Sequence, residues 1–236
     1  MISIANWKKT ALGTAIELHA SAPLDDLRGK RPIVLIGGVH GDEPEGVRLA
    51  KDTLAWLLSW PKNNKVSENT LCPWIVIPCL NVDGFTKNTR VNGRGVDLNR
   101  NYPSRDWTPE AKAERYFPGS APASEPETQA MVDLIRTHDP RLVIHCHSWN
   151  PMVVGTGELA AKDAQRLADS SGYKAVPEIG YSTPGSLSGF GWHDNQIPII
   201  CIEEQELLKD LSAIWPRFEK GMREVFTDHS MRGSNR

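Results

Sequence analysis

The chain has 236 residues, 39% of them hydrophobic and 24% charged, and a formal net charge of −2. That length suits one sizeable α/β domain rather than two, and the composition is that of an ordinary soluble globular protein. With no basic stripe along the chain, nucleic acid and anionic membrane are poor partners, and no run approaches the roughly 18 apolar residues of a membrane span.

The first residues, MISIANWKKTALG, lack an apolar run after their lysines, so no secretory signal is expected and the location is expected to be cytoplasmic. Residues 14–20 alternate in polarity and predict an edge strand. Residues 32–36 are short, apolar and β-branched, which predicts a buried strand. Residues 44–60 place Val47, Leu54, Leu57 and Leu58 on one face of a helix, with Pro44 suited to its first position. A second buried strand is predicted at 74–80. Residues 81–122 are long, polar and punctuated by Gly and Pro, the kind of loop that carries function. A helix opens after Ser124 as N-cap, with Met131, Leu134 and Ile135 on its apolar side. A strand follows at 142–147, a helix at 158–171, a strand at 197–203, and a helix at 206–227 broken or kinked at Pro216. Strands alternating with helices predict a mixed, mostly parallel sheet with helices on both faces, in a single catalytic domain of residues 1–228 followed by a flexible tail at 229–236. The four cysteines, Cys72, Cys79, Cys146 and Cys201, show no CxxC spacing. They read as buried free thiols in a reducing cytosol, with a Cys72–Cys79 disulfide as the alternative.

Ligands gather at the carboxyl ends of strands in an open α/β sheet. Three of the predicted strands end in metal-binding residue types. IVLIGG runs into His40 and Glu43, LVIHCH ends on His145 and His147, and PIICIE delivers Glu203. Two imidazoles, a carboxylate and an open fourth position make a hydrolytic zinc site. Glu43 precedes a proline and is thereby pushed away from helical geometry, toward the helix entrance beside His40. The glycines of IGGVHGDEPEG let the backbone turn tightly there. Each piece alone is weak: HxxE can be a surface helix start, a strand-end histidine is commonly just hydrogen-bonded, and Glu203, beside Glu204 and Glu206, can be a helix cap.

Together with GGVHGDEPEG, the segments NVDGF, NTRVNGRGVDLNRNYP, SEPET, HCHS and GYSTPGSLSGFGWHDNQIPIICIEE stand in an order that resembles the zinc carboxypeptidase (carboxypeptidase A-like) family, and within it the small bacterial murein peptide amidase branch. The resemblance implies that one Zn2+ ion is held by His40, Glu43 and His147, with His145 the rival third ligand and otherwise a support behind it. It implies that Glu203 is the general base that takes a proton from water and passes it to the leaving amine, with Glu204 as rival. It further implies that Arg90 stabilises the oxyanion, with Arg94 as competitor. Asn99 and Arg100 would clamp a free substrate carboxylate, and Tyr181 would close over the substrate. Asp97 reads as a structural hydrogen-bonding residue, and residues 186–191 as pocket lining.

The expected function is that of a zinc amidase or carboxypeptidase acting on a small peptide with a free carboxylate: the γ-D-glutamyl–meso-diaminopimelate bond of murein tripeptide, in peptidoglycan recycling. The missing room for extended cleft loops favours such a substrate over general proteolysis. The alternative is an N-acyl amino acid deacylase of the succinylglutamate desuccinylase or aspartoacylase type, against which the intact LNRN and GYSTPGS segments argue. A binding protein that keeps the pocket without turnover is a third reading, and the filled catalytic positions weigh against it.

Overall fold

The apolar, β-branched runs at the centre of the chain leave no solvent-facing side, which suits strands covered on both faces. In the computed structural model, which describes residues 1–63 and 71–230, they form the middle of one eight-stranded sheet. The strands are β1 (Ile2–Lys9), β2 (Ala15–Ala20), β3 (Ile33–Ile36), β4 (Trp74–Ile77), β5 (Leu142–Trp149), β6 (Met152–Thr156), β7 (Lys174–Val176) and β8 (Ile199–Gln205). Their order is β1-β2-β4-β3-β5-β8-β6-β7. The pairs β3–β4, β3–β5, β5–β8 and β6–β7 are parallel, and β1–β2, β2–β4 and β6–β8 antiparallel. The mixed, mostly parallel sheet expected from the sequence is therefore present.

Period-two alternation divides the core into two layers. Ile33, Leu35, Trp74 and Val76 face one side, against α1 (Pro44–Asn63), α4 (Ala161–Ser171) and α5 (Ile214–Thr227). Val34, Ile36, Ile75 and Ile77 face the other, against α3 (Pro126–His138) and the buried Leu98, Tyr102, Leu187 and Phe190. Between β4 and α3 the long polar region carries a short α-helix, α2 (Val82–Lys87), and two single 3-10 turns at Leu98–Arg100 and Glu114–Tyr116. Much of the rest is held by two buried asparagines. Asn92 Oδ1 accepts from the backbone N–H groups of Arg94 and Val96 at 3.0 Å each. Asn101 Nδ2 donates to the Pro118 and Ala121 carbonyls at 2.7 and 3.1 Å.

Several expectations are corrected. The strand over residues 14–20 is not an edge, because the polar β1 pairs along its outer side. β6 and β7 were not expected; both are short, and one is only three residues long. Ser124 does not cap α3. Glu125 is the N-cap residue, without a side-chain bond, and Ser124 Oγ is drawn instead into contact with Glu125 Oε1 (2.9 Å) and Asn101 Nδ2 (3.0 Å). The last helix does not begin at 206 and break at Pro216. It begins at Ile214, so the proline lies in its first turn, where a missing N–H costs nothing. Cys79 carries a free thiol, so no Cys72–Cys79 disulfide forms; Cys146 and Cys201 are free and buried. Of the expected tail, residues 231–236 lie outside those described.

The first turn of α1 lies directly on β5. A Cβ on Gly46 would stand 2.3 Å from the Cys146 carbonyl oxygen, between His145 and His147. Gly46→Ala must therefore push α1 off β5. We expect a loss of about 2 kcal/mol, as for overpacking elsewhere, read as a lowered thermal midpoint. Unchanged stability would mean that the helix yields freely.

Candidate active site

The carboxyl ends of β3, β5 and β8 lie side by side, since Ile36 pairs with His145 and His147 pairs with Glu203. From these ends three buried side chains converge. His40 Nδ1 lies 2.7 Å from Glu43 Oε1, His147 Nδ1 lies 2.8 Å from Glu43 Oε2, and the two Nδ1 atoms are 3.0 Å apart. His40, Glu43 and His147 thus offer three donor atoms within 4.8 Å of one another. Ser148 N–H donates to Glu43 Oε2 at 3.2 Å and helps to aim it.

The hydrogen bonds behind the imidazoles fix which nitrogen faces the centre. His40 Nε2 is 3.1 Å from Asp97 Oδ1, and an ionised carboxylate can only accept, so Nε2 carries the proton and Nδ1 presents a lone pair. His147 Nε2 likewise meets His145 Nδ1 at 2.9 Å, leaving its own Nδ1 for the centre. His145 Nε2 in turn lies 3.4 Å from Ser188 Oγ. Two Nδ1 lone pairs and a carboxylate in one buried cluster fit the donor set of a zinc ion that takes three protein ligands and one small molecule. His145, His147 and Cys201 form a second close group. Burial and the neighbouring Glu203 push the Cys201 thiol well up, so it stays protonated and donates to Glu203 Oε1 at 3.3 Å, a poor metal ligand.

Asp97 carries more than its motif suggests. It is fully buried; one oxygen takes His40 Nε2 and the Asn99 N–H (2.9 Å), and the other takes Arg90 Nε (3.0 Å) and Nη2 (2.9 Å). Although burial alone would raise its pKa, His40 and Arg90 hold it far below the usual carboxylate range. Arg90 keeps Nη1 beside Glu43 Oε1 at 3.5 Å. The competitor Arg94 is 56% exposed and directed at Glu125, 3.8 Å away, outside this cluster.

Glu203 is buried next to His147, and burial, with the Glu43 charge adding, raises its pKa above that of an ordinary glutamate while His147 opposes the rise. Glu204 points to the opposite face of β8, where Arg217 Nη1 donates to it at 2.8 Å and the Tyr173 hydroxyl also donates. Burial raises the Tyr181 pKa; Glu203 adds to the rise, while Arg100 and Arg90 oppose it. The half-exposed Tyr181 is therefore within electrostatic reach of those three groups, and its ring meets Trp149 edge-on at 5.5 Å. Asn99 Oδ1 accepts the Leu187 N–H at 3.0 Å and Tyr102 N–H donates to Gly185 O at 2.9 Å, pinning the segment that follows Tyr181. Gly185 makes that seat possible: its φ is +71°, and a Cβ would stand 2.0 Å from the Arg100 carbonyl oxygen. Arg100 donates to the Asn99 carbonyl at 2.7 Å and has no carboxylate within 4.0 Å among the described residues.

One participant had no motif to mark it. The Tyr116 ring lies under the guanidinium carbons of Arg90, Arg115 and Arg100 at 5.2, 5.5 and 5.9 Å from its centroid. Only the spacing of aromatic and basic residues in AERYF hinted at it.

A mixed sheet whose central parallel strands bring together this donor set fits a zinc carboxypeptidase. The profile of the zinc carboxypeptidase family matches residues 8–187, and the chain belongs to that family. It is similar to murein peptide amidase A of Escherichia coli K12, at 31% identity over 66% of this chain and 64% of that protein, so the match spans less than two thirds of the relative. It is also similar to murein peptide amidase A of Vibrio campbellii, at 25% identity over 90% of this chain and 83% of that one. The crystal structure of murein-tripeptide amidase MpaA from Escherichia coli O157 superposes with a TM-score of 0.74 at 25% identity, covering 96% of this chain and 92% of that one.

Proposed function

We propose that the chain is a zinc-dependent amidase that hydrolyses the γ-D-glutamyl–meso-diaminopimelate bond of murein tripeptide, in peptidoglycan recycling. The convergence of His40, Glu43 and His147 beside Glu203, with the unneutralised Arg100 nearby, carries this reading. The names of the murein peptide amidases it resembles support the substrate. One zinc ion on His40, Glu43 and His147 would supply Lewis acidity that polarises the scissile carbonyl and acidifies water.

The chain's own residues do the rest. Glu203 accepts a proton from the attacking water and returns it to the leaving amine, a double task that suits a carboxyl of raised proton affinity. Arg90, with two nitrogens fixed on Asp97, donates from Nη1 to the carbonyl oxygen as its charge develops. Asn99 and Arg100 hold the substrate's free carboxylate, and Tyr181 covers it from the rim. Residues 1–228 act as one catalytic domain. Free thiols at Cys79, Cys146 and Cys201 support a reducing, cytoplasmic setting. No helix among the described residues is long and apolar enough to cross a membrane.

The test is to assay murein tripeptide beside N-succinylglutamate and N-acetylaspartate. Preferential release of diaminopimelate supports the amidase, whereas preferential deacylation of the other two moves the chain to the deacylase reading. Within that assay, Arg100→Ala should lower kcat/KM about 100-fold for substrates with a free leaving-side carboxylate, the scale of a lost charge-assisted pair. Amidated substrates should change little. Equal losses on both would remove Arg100 from the clamp.

A further inference from the structure

Arg115 reaches the site from a different flank than Arg100. Its Nη2 approaches Asp42 Oδ2 at 3.7 Å, and Asp42 stands between His40 and Glu43 in the metal-binding turn. Arg100, by contrast, arises from the turn beneath residues 185–187. Both guanidinium groups, and that of Arg90, lie within 5.9 Å of the Tyr116 ring centroid. Three cations about one ring repel one another unless anions separate them. Arg90 has Asp97 and Glu43. Among the described residues Arg115 has only Asp42 as an ion-pair partner, at a distance too long for a hydrogen bond, and is 54% exposed. Among the described residues it makes no hydrogen-bonded pair with a carboxylate, so it keeps room for a closer anion.

The proposed substrate brings such an anion. A γ-linked glutamyl group keeps its α-carboxylate free, four carbon–carbon bonds or about 5 Å from the scissile carbonyl. That carboxylate lies on the acyl side, away from the leaving-side carboxylate assigned to Arg100. An α-linked peptide of an uncharged residue has no charge at that place, whereas an α-linked glutamyl residue puts its side-chain carboxylate at the same separation, so the charge selects glutamyl substrates rather than the linkage alone. We propose that Arg115, held on the Tyr116 ring, forms an acyl-side subsite that reads the α-carboxylate of a γ-linked glutamyl residue. Arg115 is a specificity residue rather than a participant in bond breaking, and Tyr116 positions it along with Arg90 and Arg100. The inference rests on the amidase reading above.

The test compares γ-D-glutamyl-diaminopimelate peptides carrying a free α-carboxylate with the same peptides carrying an α-carboxamide, for the wild-type chain, Arg115→Gln and Arg115→Lys. The wild type should prefer the free acid about tenfold in kcat/KM, chiefly through KM, the scale of one partly exposed charge-assisted contact. Arg115→Gln should treat both substrates as the wild type treats the amide, and Arg115→Lys should recover part of the preference. Discrimination at the leaving-side carboxylate should stay intact in Arg115→Gln, which a general disturbance of the site would not allow. Titration with the acyl product L-Ala-D-Glu and its α-amide should give the same contrast in Kd. A wild type indifferent to the α-carboxylate, or an Arg115→Gln variant that keeps the preference, overturns the subsite while leaving the amidase intact. A wild type that cleaves neither peptide overturns the amidase reading and the subsite with it.

Discussion

Glu203→Gln should retain zinc and fold normally while its kcat falls about 10³-fold or more, at the upper end of what general acid–base groups contribute. The amide has the volume and hydrogen-bonding reach of the carboxyl and fills the same buried place beside His147. It cannot take a proton, so the loss isolates proton transfer from packing. None of the three donor atoms belongs to Glu203, so zinc content by elemental analysis should match wild type. Glu204→Gln is the informative partner. It weakens the contacts with Arg217 and Tyr173 on the far face, so it should lower thermal stability and spare turnover. Near wild-type rates in Glu203→Gln, with turnover lost in a folded Glu204→Gln, would transfer the base role to the neighbour.

Removing the zinc with a chelator should abolish turnover and lower the thermal midpoint by about 10 °C, with far-ultraviolet circular dichroism unchanged. The proposed ligands His40, Glu43 and His147 stand at or beyond strand ends, outside the two apolar layers that hold the sheet and helices together. The stripped chain should therefore remain folded and lose only the stabilisation that comes from ligand linkage. That is about 4 kcal/mol when free metal exceeds its Kd 1,000-fold, which for a chain of this length corresponds to the stated shift. Added zinc should restore activity and midpoint to wild-type chains, and should fail to do so for Glu43→Ala. Full activity after exhaustive chelation would dismiss the metal site. Loss of secondary structure on chelation would show that the ion is structural.

The buried centre of this fold was legible because burial leaves a plain mark on composition. The runs IVLI at 33–36, WIVI at 74–77 and LVI at 142–144 are wholly apolar, and each lies in a central strand. The flanks were not. β1 alternates unevenly among exposed lysines, and β7 owes its three residues to pairing with β6 rather than to propensity. The candidate site divides in the same way. His40 and Glu43 share one turn, and the strand ends announce His147 and Glu203. Choosing His147 over His145, or Arg90 over Arg94, from residues alone is beyond local pattern, because both members of each pair have the right chemistry. Tertiary placement separates them. His145 stands behind its neighbour, and Arg94 faces Glu125. Tyr116 and Arg115 depend on a long irregular segment folding back over the site, which no periodicity encodes.

His40 and His147 stand 107 residues apart in the chain, yet their nitrogens meet only once β3 and β5 have paired in register. Every ligand pair that includes His147 is thus a long-range contact, and closing such a loop is slow compared with forming helices. On the proposed reading, ion capture must wait for that pairing, because a chain with β3 and β5 still apart has no coordination sphere. The register that would build the metal site thus also sets the earliest moment at which that site can exist.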